Sequence, residues 1–255
     1  MKISSVAEVM LKKWGASPQA ISTSDKEESD WIAEIDGFRV LVEEKTKLDN
    51  PEFVAARETT LAKGEVFGAV TSLAPNNRLS AIVRKGASQL DSSSVSTAHD
   101  ARILWLTAIG REAGARWEQA FSTLYGSTKV YEIGKGEMRN CYFFHHSAFF
   151  RFRAHLDGAV IGCLRGSELT LRFCLNPYSE RWLKLRASPF GALFPTGLID
   201  PVEEEARGRA YLADTDIDRR DSGAVLDFVS KKYGLKLAQF MDLTMVSGTV
   251  ALDMR

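Results

Sequence analysis

Residues 29–48 read SDWIAEIDGFRVLVEEKTKL, and they decide how the rest of the chain is organised. Asp36-Gly37 lies between two β-prone runs and predicts a tight hairpin. The first strand follows Asp30, and the second runs from Phe38 to about Thr46. The second strand begins apolar with Phe38, Val40, Leu41 and Val42, then ends in Glu43, Glu44 and Lys45. Strand side chains alternate faces, so Glu43 and Lys45 point one way and Glu44 the other. Asp30, on the neighbouring strand, is placed to close the gap. Two carboxylates and a lysine on one rim can hold a divalent cation and activate a water for attack on a phosphodiester. A bulge at the strand end would exchange the roles of the two adjacent glutamates.

Asp30, a hairpin and then Glu43-Glu44-Lys45 as an E-x-K resemble the PD-(D/E)XK nuclease superfamily. The resemblance implies a restriction-endonuclease-like α/β fold, a mixed central sheet flanked by helices with an αβββαβ core. It assigns the family's Asp to Asp30, its Glu to Glu43 and its Lys to Lys45. Asp30 and Glu43 are then expected as ligands to Mg²⁺ (or Mn²⁺), with the Lys45 carbonyl as a further oxygen. Ser29 stands where the family often has proline. Many relatives draw another carboxylate from the first helix, where Glu8 is the only acid. Some place a glutamine on the helix after the E-x-K strand, which matches Gln89. The tyrosine that follows that glutamine in one branch is replaced here by Ser93.

The flanking sequence fits that order. Val6, Val9, Met10 and Trp14 recur at helical spacing, with Ser4 or Ser5 as the cap and Gly15 as the stop. Residues 20–24 read as a short strand and 25–30 as a polar link. Asp49-Asn50-Pro51 predicts a helix over 51–63, closed by Gly64. A second helix is expected over 77–90, with Lys85 and Gln89 on one face, followed by a Ser-rich loop over 91–98. Ala101–Ile109 is short and nearly all apolar, as in a strand buried on both faces of a sheet. A helix over 112–125 follows.

Length and composition place few limits on function. The 255 residues suit one large domain or a core with an extension, read here as a nuclease-like core over 1–135 and a C-terminal α+β extension over 136–255 packed on it as a single globular unit. An apolar fraction of 45% can build a core without disulfides. With 33 basic and 33 acidic residues the net charge is zero, so a nucleic-acid enzyme would need a local basic surface. Three unpaired cysteines predict a reducing, cytoplasmic setting. No apolar run is long enough for a membrane span.

In the second half, residues 139–186 carry eight Lys/Arg against three acids, a surplus that nominates Arg151, Arg153 and Arg172, with Lys85, as phosphate contacts. Asp157-Gly158 reads as a hairpin turn. Asp214-x-Asp216-x-Asp218 lacks the later residues of a calcium loop and reads as a solvated acidic loop. Two functional classes fit these features. One is a metal-dependent nuclease acting on DNA in defence or repair. The other is a non-catalytic module of the same fold that binds nucleic acid or protein. The sequence leaves the oligomeric state open, a homodimer included.

Overall fold

The computed structural model describes residues 5–21 and 28–251. Ser4, most of the strand expected over 20–24 and half of the polar link expected over 25–30 lie outside that range. The chain is mixed α/β, with nine helices and three sheets among the described residues.

In chain order the first half contains α1 (Val6–Lys13), β1 (Gln19–Ala20), β2 (Trp31–Ile35), β3 (Phe38–Leu48), α2 (Pro51–Ala62), β4 (Phe67–Ser72), α3 (Asn77–Ser94), β5 (Ala101–Ile109) and α4 (Ala113–Tyr125). Then come β6 (Thr128–Glu132), β7 (Glu137–Tyr142), α5 (Ala148–Arg151), β8 (Gly158–Arg165), β9 (Glu168–Leu175), α6 (Trp182–Arg186) and α7 (Pro189–Ala192). The last are β10 (Leu198–Ile199), α8 (Pro201–Ala206), β11 (Ala210–Leu212), α9 (Ser222–Tyr233), β12 (Ala238–Met241) and β13 (Thr244–Thr249).

The main sheet has seven strands in the order β1-β2-β3-β5-β8-β9-β10. β2 and β3 form the expected hairpin, with Ile35 opposite Phe38 and positive φ at Asp36 (47°) and Gly37 (77°). Both central residues of a type I′ turn take that conformation, and Asp-Gly accepts it at low cost. β5 runs parallel to both β3 and β8 and is central and almost wholly buried. Leu41, Leu104, Leu106 and Ile161 face α3 and α4 on one side of the sheet. Val40, Val42, Ile103 and Trp105 face α1 and the α6–α7 segment on the other.

The boundary drawn at residue 135 lies inside one continuous structure. It falls in the turn between β6 and β7, and β8, β9 and β10 extend the same sheet as β1–β3. Strand pairing across the whole chain builds one central sheet. β6, β7, β11 and β12 make a second sheet covered by α9, and β4 pairs with β13 as a separate ribbon.

Two local readings also change. α3 continues to Ser94 through the serines, because the Ser29 N–H donates to Ser93 Oγ at 2.7 Å and ties that last turn to the sheet. Asp157 is no turn residue. It is fully buried at the start of β8, where it accepts the Arg102 N–H at 2.8 Å, Arg102 Nε and Nη2 at 3.1 Å each, and Ser179 Oγ at 2.6 Å. Burial pushes its carboxyl up, but these donors outweigh it and hold the pKa below the ordinary value. All three cysteines are free and buried, and no described helix is long and apolar enough to cross a membrane.

Candidate active site

β3 keeps an unbroken alternation to its end, since its register with β5 runs without a bulge from Val40–Ala101 to Leu48–Ile109. Glu43 and Lys45 therefore lie on the α3 face and Glu44 on the α1 face. Trp31 pairs with Val42, which sets Asp30 opposite Glu43 at the open end of the hairpin. Asp30 Oδ2 accepts the Glu44 N–H at 2.7 Å, so that carboxylate is fixed against the backbone beside Glu43.

The four residues expected at the centre of the site come together. Lys45 Nζ forms an ion pair with Glu43 Oε1 and donates to Gln89 Oε1 at 2.8 Å. Gln89 Nε2 donates in turn to the Glu28 carbonyl at 3.3 Å. The Ser29 hydroxyl reaches the Gln89 carbonyl at 3.4 Å. α3 thus fixes both the lysine and the residues that lead to Asp30.

Glu43 is completely buried, whereas Asp30 is exposed. Glu43 Oε1 is ion-paired with Lys45, and the Glu43 carboxylate is closed off from solvent. Burial pushes its carboxyl up to about 7; the Lys45 contact lowers it, and the nearby Asp30 charge raises it again. α3 creates this dryness by approaching at Gly86. A Cβ there would stand 2.6 Å from Leu104 Cδ1 and 3.5 Å from Glu43 Cγ.

Glu8 does not join the site. It lies on α1, across the sheet from Glu43, and pairs with Lys12 at 2.6 Å. The residue that meets α1 is Glu44. Its Oε1 accepts the N–H groups of Val6 at 2.8 Å and Ala7 at 3.0 Å, and its Oε2 accepts the Ser5 hydroxyl. A carboxylate at a helix start satisfies orphan donors and complements the helix dipole. The alternation of β3 together with a Ser-capped helix nearby was the available signal for this contact. Glu44→Ala should therefore cost about 1–2 kcal/mol of stability and leave metal affinity unchanged. Thermal melts and calorimetry check the two halves of that expectation, and a loss of metal binding in the folded variant would overturn it.

The nominated arginines face elsewhere. Arg172 stacks 3.7 Å from the Trp117 ring centroid, donates to Glu118 at 3.1 Å and lines a cavity with Lys129 and Tyr142. Arg151 and Arg153 line another cavity, of about 600 Å³, with Phe143, Tyr178 and Arg219. Neither lining includes Asp30, Glu43 or Lys45. Arg151 and Arg153 belong to α5 and the turn after it and Arg172 to β9, so a surplus that is compact in sequence is spread over different surfaces. Lys85 is exposed on α3, one turn before Gln89. The acidic loop is exposed, with Asp214 paired to Lys232 and Asp218 to Arg220.

Asp30 and Glu43 are the two carboxylates of the site that could serve as ligands to a hard cation. Among the described residues no group of three or more His, Cys, Asp or Glu side chains is placed to hold a metal. The Glu43 carboxylate, paired with Lys45, and the adjacent Asp30 carboxylate nevertheless present oxygens of the kind a hard cation takes. No family model, curated protein or solved structure matches this chain.

Proposed function

We propose that the chain is a metal-dependent nuclease with a restriction-endonuclease-like core, acting on the phosphodiester bonds of DNA. The observation that carries this reading is the meeting of Asp30, Glu43, Lys45 and Gln89 around a completely buried carboxylate. Such a group is expensive in a strand whose only task is packing. The order of helix, hairpin, helix and buried parallel strand supports the fold half of the proposal.

Asp30 and Glu43 would hold Mg²⁺ or Mn²⁺ through their carboxylate oxygens. When bound, such an ion supplies Lewis acidity and a nucleophilic water at neutral pH. Glu43 must first release its proton, which its position near 7 makes easy at neutral to alkaline pH. Lys45 offsets negative charge on the phosphate, and Gln89 holds its ammonium at the rim.

A second reading, a non-catalytic binding module, is favoured by the complete burial of Glu43 beneath Gly86. The two readings separate on Glu43→Gln, which removes a charge and little volume. A nuclease should lose about 10³-fold or more in cleavage. The wild type alone should bind Mn²⁺ in calorimetry, more tightly at pH 8 than at pH 6. Plasmid, linear, single-stranded and branched DNA are the substrates to compare. A wild type that neither cuts nor binds metal would overturn the nuclease reading.

A further inference from the structure

β3 does not end at its E-x-K. Lys47 stands two residues beyond Lys45 on the same face, roughly 6–7 Å further along the strand. There the strand opens into a cleft of about 410 Å³ lined by Thr46, Lys47, Asn50, Asn76, Arg78 and Arg116, among others. The cleft is bounded by the first turns of α2 and α3.

The charges around this cleft are unequal in their commitments. Asp49, its only acid, is already used: Oδ2 accepts the Arg111 N–H at 2.9 Å and Oδ1 the Glu112 N–H at 3.1 Å. Arg116 is paired with Glu112 at 3.3 Å. The N–H groups at the helix starts are taken by Asn50 and Asn76, so the helix ends add little. Lys47 and Arg78 remain, and among the described residues neither has a carboxylate within ion-pair distance. Arg78 is exposed and Lys47 half-buried. The surplus is positive and faces a polar lining of threonine and asparagine.

We infer that this cleft seats the phosphodiester backbone of a nucleic-acid strand, on the stretch of β3 that begins immediately after Lys45. The seat is on the strand that carries the E-x-K, away from the arginine-rich second half. This rests on the nuclease reading for its choice of polymer but on the cleft's own charges for its phosphate chemistry. Each cation that neutralises a phosphate releases counterions, so the cleft should contribute about one unit of salt slope per residue.

The test is equilibrium binding of a fluorescent DNA oligonucleotide in EDTA, where no cutting occurs, over a salt series. Lys47→Gln/Arg78→Gln should weaken binding about tenfold or more at low salt and reduce the log–log slope by roughly two. Arg151→Gln/Arg153→Gln should leave both nearly unchanged. Arg78→Gln alone, at an exposed position, guards against misfolding and should show half the change in slope. Binding and slope unaltered in the Lys47/Arg78 variants would overturn the inference. So would inorganic phosphate binding to the cleft when the oligonucleotide does not. A wild type that binds DNA through these two residues without cutting it would sink the nuclease reading and leave the cleft standing. A wild type that cuts, with cleft variants that bind normally, would do the reverse.

Discussion

Glu43→Gln should stabilise the folded chain at pH 8 by roughly 2–3 kcal/mol and change its stability little at pH 4. The sign follows from proton counting. The folded carboxyl titrates near 7, well above its ordinary value. Between those two points the unfolded chain has released the proton and the folded chain still holds it. Folding stability therefore falls as pH rises through that window, and the deficit is constant above it. An amide carries no such deficit, although it loses the ion pair with Lys45, which trims the gain. At the size of this chain the difference is about 5–10 °C in Tm. Melts of both proteins from pH 4 to 9 would measure it. Curves that stay parallel across the series would mean that Glu43 is an ordinary, well-satisfied carboxylate. A stabilised variant that has lost cleavage would show a site maintained against the interest of the fold.

Lys45→Met should have the opposite pH signature. At pH 8 it leaves a buried carboxylate without its counter-ion and should cost roughly 3 kcal/mol or more. At pH 5 the Glu43 carboxyl holds its proton, so only the bond to Gln89 is lost, about 1 kcal/mol. Combining Glu43→Gln with Lys45→Met should bring stability back near wild type at both pH values, because a neutral pair needs no compensation. Cleavage should stay absent in all three. Denaturant unfolding at the two pH values gives the cycle directly, and equal costs of Lys45→Met at pH 5 and pH 8 would show that the pair is not coupled through charge.

The elements legible in the sequence were those set by neighbouring residues. Asp36-Gly37 fixed a hairpin because its two residues accept the backbone that a two-residue loop requires. Period-2 alternation separated Glu43 from Glu44 because no bulge interrupts the ladder with β5. The apolar run Ala101–Ile109 became the central strand because nearly every residue in it is apolar and both faces of the sheet are covered by helices. What stayed hidden depends on distant partners. Asp157 beside a glycine looks like a turn until Arg102 arrives from another strand to claim its carboxylate. The serines after Leu90 look like a loop, yet the Ser29 backbone extends the helix through them. A strand is legible near Thr244, but its pairing with β4, far away in sequence, is not announced by either segment. The arginines of the second half can be counted in the sequence but not located, since charge composition carries no information about which element faces which cavity.

Gly86 has a consequence larger than its size. At its narrowest the gap between α3 and the sheet is set by a residue that offers only hydrogen toward Leu104 and Glu43. The acidity of a carboxyl on one element is therefore governed by a missing methyl on another. Widening that gap would let solvent reach Glu43 and bring its proton affinity down toward that of a free carboxylic acid. Residue 86 is in this sense a tuning position for proton release, although it has no side chain with which to touch a proton.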